Sequence, residues 1–420
     1  MNKTSLSLLI LTAIIACQSK PDRKQMISEE LNQVYQDYEL MGMSVALIAK
    51  GQLYYSGSFG YENVLPGDPM TPETYVRIAS ISKMYTALAV MTLWEKGLLD
   101  LDTPASVYLG WELKHPVFPE QPITLRHLMD HRSGIRDGTG YGNFLRNMID
   151  KEADIRSLFQ VDGAYYTEDM FANEPPGVYF SYTNCTWGLI ASMIENVSGQ
   201  RFDLYCKENL FKPMGVRSSF NVMDLEPEEI APLFRTDSSG LRQAQVDDFS
   251  SKAPVERSYP NYQPGQNGLI YGPQGSLRTS LNDLWVTANM FMNEGKANGN
   301  QIIKPATLSY FQQDQWTYDG ENGDTWGNFW HAYTKGMHFI QNKANGDIIF
   351  PDRILWGHPG IAYGLLSDFY IDLETRSGVI FFTSGSQQEF EYAEGSSFYE
   401  VETDVFKVLY PHLQAIESAP

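Results

Sequence analysis

The sequence has little positive charge. It contains 31 lysine and arginine residues against 51 aspartate and glutamate residues, which gives the 420-residue chain a formal net charge of -20 at pH 7. Nucleic-acid binding requires a basic surface, so this imbalance argues against a nucleic-acid partner. The acidity favours solubility and weak repulsion from anionic lipid, but it does not identify a reaction.

Cysteine is scarce as well. The chain has 3 cysteines, Cys17, Cys185 and Cys206. The last two can pair in an oxidising compartment. Two thiols in neighbouring helical segments are more often simply buried, and we favour that arrangement for Cys185 and Cys206.

The sequence also lacks an apolar run long enough to cross a membrane. Residues 6–15 are mostly apolar and follow a short basic start. A spanning helix needs about 20 apolar residues, and no later run reaches that length. The brief apolar run after a basic start is typical of a signal peptide.

This first run ends in Ile14-Ile15-Ala16-Cys17, which looks like a bacterial lipobox. Residues 1–16 would then form a lipoprotein signal peptide, Cys17 would carry the lipid, and residues 17–27 would form a tether. We expect a bacterial envelope lipoprotein that faces the periplasm and contacts the membrane only through that anchor. The alternative is an ordinary signal peptide with an incidental cysteine.

Among the residues that are present, Ser80 is the candidate nucleophile. Ser80-Ile81-Ser82-Lys83 is the only Ser-x-x-Lys in the chain, and it lies where an extended stretch, residues 74–79, meets a helix that we predict from Ser80 onward. That helix is apolar nearly all round, which predicts that it is buried. Residues three apart share a helix face, so Lys83 can reach the Ser80 hydroxyl. Burial lowers the pKa of a lysine, which lets the amine accept a proton near neutral pH. The alternative is a helix-capping serine followed by a lysine that reaches solvent.

Two later segments carry chemistry that fits such a site. Tyr182-Thr183-Asn184 follows a Pro-Gly turn and precedes a helix, and positions two apart in an extended stretch point to one side. Trp356-Gly357-His358-Pro359-Gly360 contains the only His-x-Gly and precedes two predicted strands, residues 365–373 and 378–383. Taken singly, each has an ordinary structural interpretation: a buried aromatic for Tyr182, a helix cap for Asn184 and a loop histidine for His358. Taken together, the three residues indicate one site.

Ser-x-x-Lys, Tyr-x-Asn and His-x-Gly, in this order and widely spaced, resemble the motifs of the serine β-lactamase and penicillin-binding-protein superfamily. The resemblance is to the branch with class C β-lactamases, D-alanyl-D-alanine carboxypeptidases, D-aminopeptidases and esterases. It extends over most of the chain and includes residues 123–134, 209–215 and 272–278. It implies an α/β (α+β) fold of the β-lactamase/transpeptidase type, with an antiparallel sheet flanked by helices and a mostly helical second lobe.

The resemblance places one catalytic domain at residues 28–412. The sheet lobe would take about 28–100 and 265–412, the helical lobe about 101–264, and the site would lie between the lobes. Residues 237–268 are polar and predict a long surface excursion. The aromatic residues within 316–350 fit two interpretations equally, as the wall of a cleft or as strand residues that cover the sheet.

The resemblance also implies a role for each motif residue. Ser80 attacks a carbonyl carbon and becomes acylated. Lys83 takes the serine proton or holds Tyr182 in a state that can take it. Because an ordinary tyrosine has a pKa of about 10, a tyrosinate base needs positive charge nearby, which Lys83 and His358 would supply. Asn184 orients Lys83 and binds the acyl-side amide of the substrate.

The oxyanion hole is expected at two backbone amides, those of Ser80 and of Ile361, with Gly360 beside them in the substrate site. One motif position departs from the superfamily, because His358 stands where penicillin-binding proteins and class C β-lactamases usually have lysine. An ordinary histidine has a pKa of about 6.5 and is mostly uncharged at pH 7. A strong β-lactamase is therefore the weaker expectation, and a neutral or small acyl substrate fits better.

We expect a serine hydrolase that acts through an acyl-enzyme on a small-molecule or peptide substrate, at an ester, amide or D-amino-acid peptide bond. Two alternatives use the same residues. One is a penicillin- or peptidoglycan-binding receptor, or slow transpeptidase-like protein, with little hydrolysis. The other is a class C-like β-lactamase.

A competing chemistry is a metal site at His127, Asp130 and His131. The His-x-x-x-His spacing would place two imidazoles on one helical face. A zinc-protease helix also needs a glutamate directly after the first histidine, and Leu128 stands there. We therefore expect neither a metal nor another cofactor.

Overall fold

The computed structural model describes residues 22–62, 68–237, 239–240, 242–313, 316–324, 332–341, 347–351 and 353–419. The predicted signal peptide and Cys17 lie outside these residues. Within them, none of the helices combines the length and the apolar character that a membrane crossing requires.

One large antiparallel sheet brings the two ends of the described chain together. Its strands are β1 (Gly42–Ala49), β2 (Gln52–Gly60), β9 (Trp316–Thr317), β10 (Ala332–Thr334), β11 (Met337–Gln341), β12 (Ile354–Ala362), β13 (Leu365–Asp372) and β14 (Ser377–Thr383). The order in space is β2-β1-β14-β13-β12-β11-β10-β9. Val45 of β1 lies opposite Phe381 of β14, so the amino-terminal hairpin joins the carboxy-terminal strands directly.

Three short two-stranded sheets lie outside this large one. They are β3 (Val76–Arg77) with β6 (Arg278–Thr279), β4 (Leu233–Thr236) with β5 (Arg242–Val246), and β7 (Lys296–Ala297) with β8 (Asn300–Gln301). The first pair matters for the site, because β3 leads directly into the segment that carries Ser80.

Helices occupy both faces of the large sheet and most of the middle of the chain. They are α1 (Arg23–Asp37), α2 (Ser82–Glu95), α3 (Ala105–Leu109), α4 (Leu125–Met129), α5 (Thr139–Asn147), α6 (Arg156–Phe159), α7 (Cys185–Ser198), α8 (Phe202–Cys206), α9 (Lys212–Met214), α10 (Leu281–Met292), α11 (Pro305–Phe311) and α12 (Glu400–Glu417). This combination of an antiparallel sheet and many helices confirms the predicted fold class.

Alternate residues of β1 enter two different hydrophobic cores. Val45 and Leu47 face α1 and α12, whereas Ala46 and Ile48 face the core that contains α2 and α7. This is the period-two alternation of a strand that is covered on both faces. Helix α2 is buried from Ser82 to Leu93, so the expectation of a helix surrounded by protein is confirmed.

Several boundaries differ from the sequence prediction. Helix α1 begins at Arg23 and buries Ile27, inside the range 17–27 that we assign to a tether. The range 237–268 contains strand β5 and the buried residues Tyr259 and Asn267, so it is not wholly a surface excursion. In 316–350, Trp316 and Tyr333 are buried strand residues, as the second of the two interpretations expects. Cys185 and Cys206 are buried free thiols.

The helical face that the metal interpretation needs is absent at that position. Helix α4 ends at Met129, and His131 has a φ of 59°, in the left-handed region. His127 and His131 therefore do not lie on one helical face. His131 Nδ1 accepts a hydrogen bond from the Thr183 amide at 3.1 Å, and Nε2 lies 3.1 Å from the Tyr333 hydroxyl. No cluster of metal-binding side chains occurs among the residues that the structure describes.

Candidate active site

Ser80 lies in a single 3₁₀ turn, Ala79–Ile81, between β3 and α2. The helix proper begins two residues later than predicted, at Ser82. Ala79 has a φ of 48°, in the left-handed region that a residue with a Cβ rarely adopts. Such conformations persist only where the surroundings enforce them, and they cluster at functional sites. The Ser80 side chain remains partly exposed in front of a helix that is otherwise buried.

Lys83 projects from the first turn of α2 and is fully buried. Its Nζ lies 3.0 Å from Ser80 Oγ, 2.8 Å from Asn184 Oδ1 and 3.0 Å from the Gln274 carbonyl oxygen. Burial lowers the pKa of Lys83 to about 7, against an opposing effect of Asp137. A neutral amine retains two N–H donors and one lone pair. With Asn184 and Gln274 accepting the two hydrogens, the lone pair is directed at Ser80.

Tyr182 completes the polar surroundings of the Ser80 hydroxyl. The Lys83 Nζ lies 4.8 Å from the centre of the Tyr182 ring. Burial raises the pKa of Tyr182 above its usual value, and a hydrogen bond with Ser80 lowers it only in part. Tyr182 is therefore a neutral phenol near pH 7, which can pass a proton but is a poor resting base.

His358 lies in β12, and its ring centre is 6.0 Å from that of Tyr182. Burial, and then the charge of Lys83, lower the pKa of His358 to about 3. The Nδ1 atom lies 2.5 Å from the Pro359 carbonyl oxygen, which places the proton on Nδ1. The expectation that His358 supplies positive charge to Tyr182 is wrong, because the buried imidazole stays neutral.

Asn184 is held in place by Asp137, a residue that the sequence motifs do not include. Asp137 accepts hydrogen bonds from the Asn184 amide at 2.8 Å, from Asn184 Nδ2 at 2.9 Å and from the Cys185 amide at 2.8 Å. These bonds cap the N-terminus of α7 and fix the Asn184 side chain with Oδ1 toward Lys83. Asp137 is thus a positioning residue for the Lys83 amine.

Replacing Asp137 by asparagine is expected to change the pH profile as well as the rate. Loss of the carboxylate removes an effect that raises the pKa of Lys83. The rise of kcat/KM with pH should therefore move to lower pH, and kcat should fall about tenfold because Asn184 loses an acceptor that orients it. Initial rates between pH 5 and pH 9 on one neutral ester measure both effects.

Asp169→Asn is the matched control for this substitution. Asp169 is exposed and accepts hydrogen bonds from the amide and the hydroxyl of Thr139 at the start of α5. Loss of either helix-terminal carboxylate should cost about 1 kcal/mol of stability. A shift of the pH profile in Asp169→Asn, or its absence in Asp137→Asn, would contradict the role of Asp137.

Strand β12 also lies against the turn that carries Ser80. A Cβ on Gly360 would lie 2.5 Å from the Ile78 carbonyl oxygen and 2.3 Å from Ser367 Oγ, so glycine is required for this approach. The next residue, Ile361, is 39% exposed beside the same turn. The structure therefore brings Gly360 and Ile361 to the side of Ser80, where an oxyanion hole is expected.

Sequence reasoning missed three groups that act on the site. The Gln274 carbonyl binds Lys83, Asp137 fixes Asn184, and His131 packs against Tyr182 with ring centres 4.5 Å apart. Gln274 lies within a family-like segment, residues 272–278, which was the one available signal for it. Asp137 acts on residues 47 and 48 positions away, and no local pattern marks such a partner.

Comparison with known proteins gives consistent results. A family model described as Beta-lactamase matches residues 25–398. Penicillin-binding protein 4* of Bacillus subtilis (strain 168) is 30% identical over 218 residues, which are 51% of this chain and 44% of that protein. The alignment thus spans less than half of that relative's length.

Two solved structures share the fold at lower identity. EstCE1, described as a hydrolase with promiscuous acyltransferase activity, is 21% identical with a TM-score of 0.66, covering 92% of this chain and 99% of its own. The D-amino acid amidase from Ochrobactrum anthropi SV3 is 18% identical with a TM-score of 0.64, covering 95% and 99%. These likenesses show a common fold.

Proposed function

This chain belongs to the Beta-lactamase family, and we propose that it is a serine hydrolase that cleaves ester, amide or D-amino-acid peptide bonds through an acyl-enzyme on Ser80. We place it in the bacterial cell envelope, anchored through Cys17, on the strength of the lipobox-like sequence. One observation carries the proposed activity: a buried amine with a pKa of about 7 lies 3.0 Å from an accessible serine hydroxyl.

In the acylation step the Ser80 proton moves to Lys83 while Oγ bonds to the substrate carbonyl carbon. The negative charge that develops on the carbonyl oxygen is held by the backbone amides of Ser80 and Ile361. Collapse of this intermediate breaks the bond to the leaving group. The leaving group takes a proton from Tyr182, which recovers one from the Lys83 ammonium.

Deacylation uses the same groups in the reverse order. A water molecule attacks the Ser80 ester and gives one proton to Lys83, directly or through Tyr182. The tetrahedral intermediate then expels Ser80 Oγ, which regains a proton from Lys83, and the acid product leaves. Neutral Lys83 and neutral Tyr182 suit both half-reactions, because neither step requires a tyrosinate.

The neutral His358 argues against a class C-like β-lactamase, since no fixed cation stands at the third motif to hold a substrate carboxylate. The receptor alternative uses the same acylation chemistry and differs only in the rate of deacylation. The relative Penicillin-binding protein 4* is named for penicillin binding. Acylation of the present chain by penicillin is therefore a direct test of the receptor alternative.

The deciding experiment follows covalent labelling and turnover together. The protein is incubated with a fluorophosphonate probe, with fluorescent penicillin, and with 4-nitrophenyl esters, D-amino-acid amides and a chromogenic cephalosporin. We expect Ser80-dependent turnover of at least one ester or amide, and only transient labelling by substrates. Stable acylation by penicillin without turnover of any substrate would instead support a receptor.

A further inference from the structure

Arg77 is a nearly buried arginine, 8% exposed, whose guanidinium is only partly used. Its Nε donates a hydrogen bond to the Gly275 carbonyl at 2.7 Å. Neither Nη atom has a hydrogen-bond partner among the residues that the structure describes. Neither Nη atom is among the fully enclosed polar atoms without a partner, so this edge of the guanidinium can be reached by an anion.

Three arginines lie near one carboxylate in this part of the molecule, and only one of them binds it. Arg278 binds Asp247 with both Nη2 and Nε, at 2.6 and 3.0 Å, and both side chains are buried. Arg257 lines the same small cavity as Arg278 and acts electrostatically on Arg77. Asp247 neutralises one of the three charges, so a local excess of positive charge lies within a chain of net charge -20.

Tyr363 covers the guanidinium of Arg77. The Arg77 Cζ lies 4.9 Å from the centre of the Tyr363 ring. Tyr363 has a φ of 57°, in the left-handed region that bulky residues rarely adopt. Tyr363 and Gly364 form the two-residue turn between β12 and β13, a kind of turn that requires positive φ at both positions. This turn places the ring over the cation.

The positions of Arg77 and Tyr363 relative to Ser80 indicate which side of the substrate they contact. Neighbouring carbonyls accept hydrogen bonds from the two basic side chains, Gln274 from Lys83 and Gly275 from Arg77. Arg77 precedes Ser80 by three residues, which limits the distance between their Cα atoms to about 11 Å. Tyr363 follows His358 by five residues and lies directly after the last residue of β12, Ala362.

The proposed proton donor to the leaving group is Tyr182, which packs near His358. The leaving group therefore departs on the His358 side of Ser80. The acyl chain that stays on Ser80 would then extend toward the end of β12 that leads to Tyr363, with Arg77 and Arg257 nearby.

We propose that Arg77 and Arg257, with Tyr363 above them, form a subsite for a carboxylate on the acyl part of the substrate. The preferred substrates are then esters or amides of dicarboxylic acids, bound through one free carboxylate. The planar guanidinium donors match a carboxylate in geometry, and an incoming anion supplies the charge that Asp247 alone does not. This inference rests on the proposed function, because it concerns the acyl group of the same acyl-enzyme.

The test compares 4-nitrophenyl hexanoate with the 4-nitrophenyl half-ester of adipic acid, which has the same chain length and a terminal carboxylate. We expect the half-ester to have a kcat/KM at least about tenfold higher, mainly through a lower KM. Arg257→Gln should bring the ratio of the two kcat/KM values close to one, mainly by lowering kcat/KM for the half-ester. Arg146→Gln on α5 removes the same charge from another exposed position and should leave the ratio as it is.

Arg77→Gln should have the same effect on the ratio as Arg257→Gln. Arg77 also braces Gly275, so this variant is assessed only if its melting temperature matches that of the native protein. Arg257 is exposed and makes no hydrogen bond within the described ranges, so Arg257→Gln keeps the test open if Arg77→Gln fails to fold.

Three results would overturn the subsite while the proposed function stands. In the first, hexanoate is hydrolysed through Ser80 and the half-ester is not preferred. In the second, Arg257→Gln lowers kcat/KM for both substrates by the same factor. In the third, the preference follows a carboxylate on the leaving group, measured with 3-acetoxybenzoate against phenyl acetate. If no neutral ester or amide is turned over through Ser80, the proposed function itself fails, and the subsite with it.

Discussion

Ser80→Ala is expected to lower kcat for ester hydrolysis by about 10⁴-fold or more and to abolish labelling by the fluorophosphonate probe. The alanine variant lacks the atom that bonds to the substrate carbonyl, while Lys83 keeps its hydrogen bonds to Asn184 and Gln274. Binding and the oxyanion donors can supply only residual rate enhancement without a nucleophile. Steady-state kinetics on the best ester of the panel measure the loss.

Ser82→Ala is the matched control at the start of the same helix. The Ser82 hydroxyl is buried and accepts a hydrogen bond from the Leu277 amide at 3.0 Å, away from Lys83. Its removal should cost about 1 kcal/mol of stability and leave kcat within about twofold. Equal losses of activity in the two variants would show that the turn has collapsed, and retained activity in Ser80→Ala would refute the nucleophile.

The parts of this site that depend on local sequence were predictable. The uniformly apolar run after Ser80 predicts a helix that is buried all round, and Lys83 is indeed fully buried on it. Its lowered pKa follows from that burial alone. The segments 44–48 and 53–59, on either side of Lys50-Gly51, likewise predict the hairpin β1–β2, and the runs 365–373 and 378–383 predict β13 and β14.

The parts that depend on distant contacts were not predictable. Asp137 meets Asn184 only because α7 packs against the loop that follows α4, and the sequence pattern of neither segment encodes that contact. The charge state of His358 depends on how deeply β12 is buried and on its distance from Lys83. An imidazole at the first position of the third motif is visible in the sequence, but its neutrality is a property of the fold.

The unusual backbone conformation of Ala79, just before Ser80, was not predictable from local sequence either. Ala79 carries no turn signal, and a residue with positive φ is expected at glycine or asparagine rather than at alanine. Its conformation occurs where β12 approaches the turn closely, since a Cβ on Gly360 would lie 3.3 Å from that of Ala79. The turn that carries the nucleophile thus packs against a strand about 280 residues later in the chain.

Lys83→Met is expected to reduce kcat by about 10³-fold and to remove the dependence of kcat/KM on pH near neutrality. In the native protein burial lowers the pKa of Lys83 to about 7. Below that pH the amine is protonated and cannot accept the Ser80 proton, so kcat/KM should rise through pH 7 and then level off. Methionine lacks a base, so the slow residual rate should show no such rise.

The chain offers a matched control in Lys335, a second fully buried lysine whose pKa burial lowers to about 7. Its Nζ donates to the Tyr310 carbonyl at 2.7 Å and is not among the partners of Ser80. Lys335→Met removes the same kind of amine and should retain both the activity and the rise through pH 7. If that rise disappears in Lys335→Met and persists in Lys83→Met, Lys83 is not the base, and the proton transfer from Ser80 must be assigned to another group.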